Sequence, residues 1–540
     1  MPWLNSLDRK ESTALWVTIF GSCYVAYKAW HIYQATPRTA DSLRGPKPPS
    51  WLFGNTQDTR LPYCNRRFEH WMREYGNAFP VHGFFGGRDL LITDTAAIAF
   101  ILNQPSEFPK TRAIINIARN LVGDGLLSVE GFEHKRQRKV LNPAFSTMAM
   151  RDISPMLMHI AHELRDEWKK ELLKSKSDDS SFTEIEALGW FSKTALDMIG
   201  LAGFGYKFNC IHDSSNELAA AFNNLSKNLS ALKGMAMLNS FFPVLRHLPI
   251  GSNVANNHNK AIMRRVGLQM VTEKKAEAQK IGQDGSDMGK DLLSLMVGAN
   301  MTENAAERLD DETLLAEIST FLLAGHETTA NALTWGLHEL AMAPLVQAKL
   351  REEILAFHDD SPSMDELNAM PFLNNVVKEI LRLRPSVSNV RRTASSDIVV
   401  PLAEPILDKH GKQVNKIFVR HGDNLMVHIF ASNTRPDLWG PDASDFRPDR
   451  FDDLPEVVSD IPSVFSNLST FISGPKHCIG WRMAVLEMKV LLFTMIRTFQ
   501  IDIDPELEIT SRFAFGIKPQ VKGQEDKGPQ MPLRVSLYKA

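Results

Sequence analysis

The sequence predicts a mainly α-helical protein, and three runs carry that expectation. DDETLLAEISTFLLAGHETTANALTWGLHELAMAP, from Asp310 to Pro344, opens on acidic residues, keeps a helical apolar period and ends on proline. VVKEILRLRP, residues 376 to 385, and WRMAVLEMKVLLFTMI, residues 481 to 496, have apolar positions at the same spacing. Beyond a proline-rich segment near the N-terminus there is no internal repeat, low-complexity block or second linker of that kind, so the rest reads as one large domain.

Composition supports that size. The 540 residues are 44% hydrophobic and 23% charged, a globular balance with ample material for a core. A formal net charge of -2 gives no reason to expect nucleic acid as a partner. Cys23, Cys64, Cys210 and Cys478 are far apart and form no CxxC pair, so neither a disulfide framework nor a zinc site is indicated.

The N-terminus differs from the rest. Residues 14 to 27, ALWVTIFGSCYVAY, are largely apolar, and counted through Tyr33 the run reaches the roughly 20 residues of a membrane span. The charge-balanced DRKE before it and the lack of a clear small-residue cleavage site argue against a secretory signal. Lys28, Arg38, Arg44 and Lys47 outweigh Arg9 and Lys10, which places the bulk of the chain in the cytoplasm. Residues 1–12 are then a flank, 13–33 a single-pass anchor, 34–55 a hinge and 56–540 a single domain. GPKPPSWLFGN, residues 45 to 55, makes the hinge stiff and extended. The polar stretch from about Lys280 to Arg308 is expected as a loop between helical segments.

At about 1.5 Å per residue the run from Asp310 is roughly 50 Å of helix. AGHETT, residues 324 to 329, lies in its middle, where Gly325 costs about 1 kcal/mol relative to alanine and so needs a reason. Phe321, Ala324 and Thr328 share one face. A ligand-facing notch and a helix-packing groove both account for the small residues. A zinc-protease HExxH is excluded, because it needs a histidine at 330 and the chain has Ala330.

FISGPKHCIG, residues 471 to 480, puts Cys478 where a loop becomes a helix. Backbone N–H groups and the positive end of the helix dipole lie behind it, and Lys476 and His477 add charge, all of which favours thiolate. A buried structural cysteine is the alternative for such a residue alone. Glu379 and Arg382 form an i, i+3 pair, and Arg450, in WGPDASDFRPDRF, could complete a carboxylate held between two guanidinium groups. Such a network specifies geometry more than it adds stability.

Together, in this order and at these separations, these pieces resemble a cytochrome P-450 monooxygenase over essentially the whole chain. FISGPKHCIG is similar to the family's haem-binding loop at Phe471, Gly474, Cys478 and Gly480, and AGHETT to its oxygen-activation motif. Glu379 and Arg382 match its ExxR pair, and Arg450 the arginine of its later proline-rich segment. GFEHKRQRKVLNPAFS, residues 131 to 146, resembles the helix bearing a basic haem-propionate contact, with Arg138 retained and His134 where tryptophan is frequent. Lys476 stands where arginine is usual, a point charge in place of a fork. Arg392 matches a further propionate-binding arginine, with Arg391 as the competing choice.

The resemblance implies a mainly α fold with small β-sheets, the haem-thiolate fold with a long central helix. Haem b would be held with Cys478 as the iron's axial thiolate, a ligand that favours O–O cleavage. Gly480 would let the next helix start close to the macrocycle, and Phe471 would pack beside it on the thiolate side. Ala324 and Gly325 would leave room for dioxygen, Thr328 would hydrogen-bond it, and Glu327 would help relay protons. Phe321, Ala324 and Val387 would line an apolar pocket. Electrons would come from NADPH through a separate NADPH-cytochrome reductase; Lys135, Arg136 and Lys139 are either part of its docking site or a solvated helix face. FFPVLRHLPI, residues 241 to 250, is a loop dipping into membrane lipid or simply core.

The implied activity is insertion of one oxygen atom into an apolar small molecule, at the endoplasmic reticulum membrane, with the catalytic domain facing the cytoplasm. DIVVPLAEPILDKHGK, residues 397 to 412, resembles fungal microsomal members, which points to a terpenoid or related secondary metabolite; fatty-acid or xenobiotic hydroxylation is the alternative. The intact Glu327–Thr328 pair argues against a haem dehydratase or isomerase and against a haem carrier without turnover.

Overall fold

The structure, a computed structural model, describes residues 41–55, 65–83, 86–175, 182–213, 216–218, 220–221, 224, 251–284, 291–302, 308–513 and 516–539. The anchor run 13–33 and the segment 241–250 lie outside the described residues. Among the described residues no helix is long and apolar enough to cross a membrane.

Helices dominate. Those that position the site are α1 (Thr95–Asn103), α2 (Gly131–Leu141), α3 (Thr147–Ser175), α4 (Ala187–Phe204), α5 (Gly251–Asp284), α6 (Leu292–Met301), α7 (Asp311–Met342), α8 (Pro371–Leu383) and α9 (Trp481–Thr498). The sheets are small and separate. Ala78–His82, Arg88–Ile92, Asn424–Val427 and Val390–Thr393 form one of four strands in that spatial order, with a parallel pairing in its middle. Thr183–Glu186, Pro532–Leu537 and Phe499–Asp502 form another, and two hairpins, Ile398–Leu407 with Gln413–Val419 and Ile509–Phe513 with Ile517–Val521, stand apart. This is the mainly α architecture with small sheets that the sequence predicts.

The long helix α7 begins where its sequence says it should. Asp310 caps it by accepting from the Thr313 N–H at 2.8 Å, and Asp311 and Glu312 sit at the positive end of its dipole. Its end differs in detail: the chain breaks at Ala343, and Pro344 is the first residue of the next helix, where a missing N–H costs nothing. Its glycines mark close approaches. A Cβ on Gly325 would lie 3.1 Å from Ile199 of α4, and one on Gly336 would lie 2.7 Å from Ile380 of α8.

Every residue of α9 from Val485 to Ile496 is buried, Glu487 and Lys489 included, so this helix runs through the core rather than over it. The expected loop from about 280 to 308 is corrected. Helix α5 continues to Asp284, and α6 takes Leu292–Met301, capped by Asp291 accepting from the Ser294 N–H at 2.9 Å. The apolar run LLSLMV packs into the core and outweighs its polar flanks. The hinge, too, is only partly extended: Trp51–Asn55 is a turn, closed by Gly54 N–H donating to Ser50 O at 2.7 Å.

Candidate active site

The cysteine loop is shaped by its backbone. Gly474 has φ +73°, and a Cβ there would lie 2.3 Å from the Leu102 carbonyl of α1, so the loop lies directly on that helix. The Cys478 N–H donates to the Phe471 carbonyl at 3.0 Å, folding the segment back on itself. Gly480 precedes α9, and its N–H points at the Cys478 sulfur. Phe471 is buried, edge-on to Phe465 at 6.0 Å. Cys478 is accessible although protein surrounds it, as a side chain on the wall of an interior cleft is.

Burial raises the Cys478 thiol above its ordinary range, with the Gly480 N–H and the Arg138 charge pulling the other way. The flanking basic residues contribute less than the sequence implied. Lys476 is ion-paired with Glu130, and His477, its own pKa lowered by burial, meets the Arg138 guanidinium at 2.9 Å.

Behind the loop lies a fully buried charge network. Arg382 donates through Nε and Nη2 to the two Glu379 oxygens at 2.7 and 2.8 Å. Arg450 Nε donates to Glu379 Oε1 at 2.9 Å, so one carboxylate lies between two guanidiniums. The remaining donors reach backbone carbonyls of Asn433, Trp439, Asp442, Ala443 and Asp445, which leaves the ions solvated by the protein itself. Asn433, which the sequence did not single out, joins network to loop: its side chain accepts from Ser469 N–H at 2.9 Å and donates to Thr470 Oγ1 at 2.8 Å.

On another side of the loop the structure gathers His134 and Arg138 of α2, Arg392, Lys476 and a residue missed from the sequence, Lys110. His134 is buried and pushed down to about 3, by desolvation first and then by the charges of Lys110, Lys476, Arg138 and Arg392. Burial lowers Lys110 to about 8 against the pull of Glu130, while its ammonium donates to the Leu127 carbonyl at 2.6 Å. Arg138 donates to the His477 carbonyl at 2.7 Å. Arg391 and Arg392 part company: Arg391 pairs with Asp89 at 3.0 Å, whereas Arg392 is buried and turned toward the cluster. A cavity of about 280 Å³ borders this cluster, lined among others by His134, Arg138, Lys476, Lys135 and Lys139. Arg136 is tied to Glu133 at 2.7 Å and does not line it.

In the middle of α7, Ala324, Gly325 and Thr328 are partly accessible while the residues around them are buried. Thr328 Oγ1 donates to the Ala324 carbonyl at 2.7 Å, and Ser386 Oγ donates to the Thr328 carbonyl at 2.7 Å. Glu327 is not on a solvated face: it is 2% exposed, and Lys518 Nζ lies 2.6 Å from its Oε2. Against the opposing effect of burial, His326 and Lys518 hold its carboxyl down at about 2. Phe321 is buried against Phe145, ring to ring at 5.4 Å, and Val387 in the turn after α8 is exposed. Lys110, Glu130 and Lys518 carry no local pattern; their partners lie outside the reach of any helix or strand period, 17 residues away for Lys110 and Leu127 and 346 for Glu130 and Lys476.

The family model described as cytochrome P-450 matches residues 44–522. The chain is 37% identical to cytochrome P-450 monooxygenase 128 of Postia placenta over 95% of this chain and 96% of that protein. It is 33% identical to cytochrome P-450 monooxygenase claQ of Ampulloclitocybe clavipes, over 91% and 92%. It is 34% identical to a ganoderic acid synthetase of Ganoderma lucidum, over 91% and 93%. With the cysteine loop, the buried charge network and the notched helix all present, the chain belongs to the cytochrome P-450 family and is a haem-dependent monooxygenase.

Proposed function

We propose that this chain is an anchored monooxygenase that inserts one atom of dioxygen into an apolar secondary metabolite of terpenoid type, taking electrons from NADPH through a separate reductase. The observation that carries the reading is the joint placement of an accessible interior Cys478 and a cluster of buried cations. Lys110, Arg138, Arg392 and Lys476 are set against Glu130, while nearby Glu317 is pushed up to about 8 and stays neutral at neutral pH. Such an excess of positive charge is costly without an anionic partner, and the two carboxylates of haem fit it.

Bound there, a haem would supply oxygen activation, with Cys478 as the residue that would ligate its iron. The chain's own residues do the rest. Cys478 provides the ligand, and the Gly480 N–H tempers its charge. Arg138, Arg392, Lys476, Lys110 and neutral His134 would hold the propionates. Ala324 leaves the helix surface low, Gly325 lets α4 pack close at Ile199, and the Thr328 hydroxyl, now donating to the Ala324 carbonyl, is the nearby proton donor. Glu327 Oε2 is the buried carboxylate beside it. Lys135 and Lys139 supply positive charge for reductase docking at the cavity beside the loop. The likeness to a protein named ganoderic acid synthetase supports a secondary metabolite as substrate.

The test is the carbon monoxide difference spectrum of the reduced, membrane-expressed protein beside Cys478→His. A thiolate-type Soret band, lost or blue-shifted in the variant, is expected; folded wild type without such a band would overturn the reading. Thr328→Ala is expected to lower the ratio of product to NADPH consumed.

A further inference from the structure

The C-terminal hairpin is bound to the functional stretch of α7 at several points. Ser386 Oγ donates to the Thr328 carbonyl at 2.7 Å, the Ile517 N–H donates to the Ser386 carbonyl at 3.0 Å, and Trp335 Nε1 donates to the Ile517 carbonyl at 3.0 Å. Gly516 is needed for this closeness, since a Cβ there would lie 2.8 Å from Asn331 Nδ2 and 3.1 Å from the Ser386 carbonyl. Two residues further on, Lys518 is fixed in register opposite Arg512 and puts its ammonium 2.6 Å from Glu327 Oε2. His326 Nε2 lies 3.5 Å from the other carboxylate oxygen. Of the ion-paired residues, Glu327 is 2% exposed and Lys518 12%, so the pair operates largely out of solvent, where its attraction is strong.

We infer that Lys518 is a positioning residue that restrains Glu327 as an ionised carboxylate, so that Glu327 carries protons only when the pair with the hairpin opens. The inference rests on the monooxygenase reading and deepens it. A carboxylate locked to an ammonium is a poor proton carrier: a proton placed on it removes the charge that the lysine stabilises. The held-down Glu327 carboxyl agrees with that geometry. Delivery matters because dioxygen with two electrons and two protons leaves as hydrogen peroxide, whereas further protons and electrons take it to water. The hairpin is therefore a lever on the partition between them.

Two readouts test this on the full-length, haem-loaded chain. Infrared difference spectra, with Glu327→Gln to identify the band, are expected to show no protonated Glu327 carboxyl in wild type at neutral pH. Lys518→Met should bring that band up, and Lys518→Arg should suppress it again. With reductase, NADPH and no added substrate, Lys518→Met should lower the fraction of electrons recovered as hydrogen peroxide by about twofold or more, and Glu327→Gln should raise it. No carboxyl band in Lys518→Met, or peroxide fractions equal in wild type and Lys518→Met, would overturn the inference. The carbon monoxide spectrum of the same samples separates the two ideas. Without a thiolate-type band the monooxygenase reading falls and the proton-delivery role falls with it, while the infrared result still decides whether Lys518 sets the charge of Glu327.

Discussion

Arg382 grips Glu379 from one helical turn away with two donors at 2.7 and 2.8 Å, and neither side chain is exposed. Arg450 shares the same carboxylate, so removing one member strands charge in the core. Arg382→Ala is therefore expected to destabilise the protein by about 3–5 kcal/mol, read from urea unfolding. Arg382→Lys should recover only part of it, because an ammonium cannot span both oxygens and still reach the Asn433 and Ala443 carbonyls.

Arg391 and Arg392 are neighbours with different partners. Arg392→Gln is expected to speed haem loss to apomyoglobin by about tenfold, since it removes a buried charge from the cluster. Arg391→Gln breaks a half-exposed pair with Asp89, costs under about 1 kcal/mol, and should leave haem loss close to wild type.

Glu317 and Glu487 are buried carboxyls raised from 4.5 to about 8, in each case by desolvation first. Between those values the folded protein holds protons that the unfolded chain has released, so stability falls as pH rises through that window. Each group contributes a slope of up to about 1.4 kcal/mol per pH unit. Glu317→Gln and Glu487→Gln should flatten the dependence, and melting temperatures recorded across the window check it.

Gly474→Ala puts a Cβ 2.3 Å from a backbone carbonyl at φ +73°. A loss of about 2–3 kcal/mol is expected, with the thiolate-type carbon monoxide band weakened. Gly480→Ala, whose nearest new neighbour is Phe145 at 3.8 Å, should change the unfolding free energy by less than about 1 kcal/mol.

Much of this was legible in the sequence where the signal is local. The start of α7 at Asp310, the helix following Cys478 and the Glu379–Arg382 spacing all follow from period, caps and charge at i, i+3. Helix α6 was obscured because its apolar run is short and flanked by polar residues. The partners of Lys476 and Glu327 were not legible at all. Glu130 and Lys518 are brought to them by tertiary folding, and no spacing rule links such positions. For the same reason nothing in the sequence around Glu327 shows that it is an enclosed ion pair.

Because α9 is buried along its whole length from Val485 to Ile496, its amide protons have no route to solvent by fraying or surface opening. They should exchange with deuterium only when the whole molecule opens. The cysteine loop, attached directly to the start of this helix, is thereby moored to an element that opens only with the core.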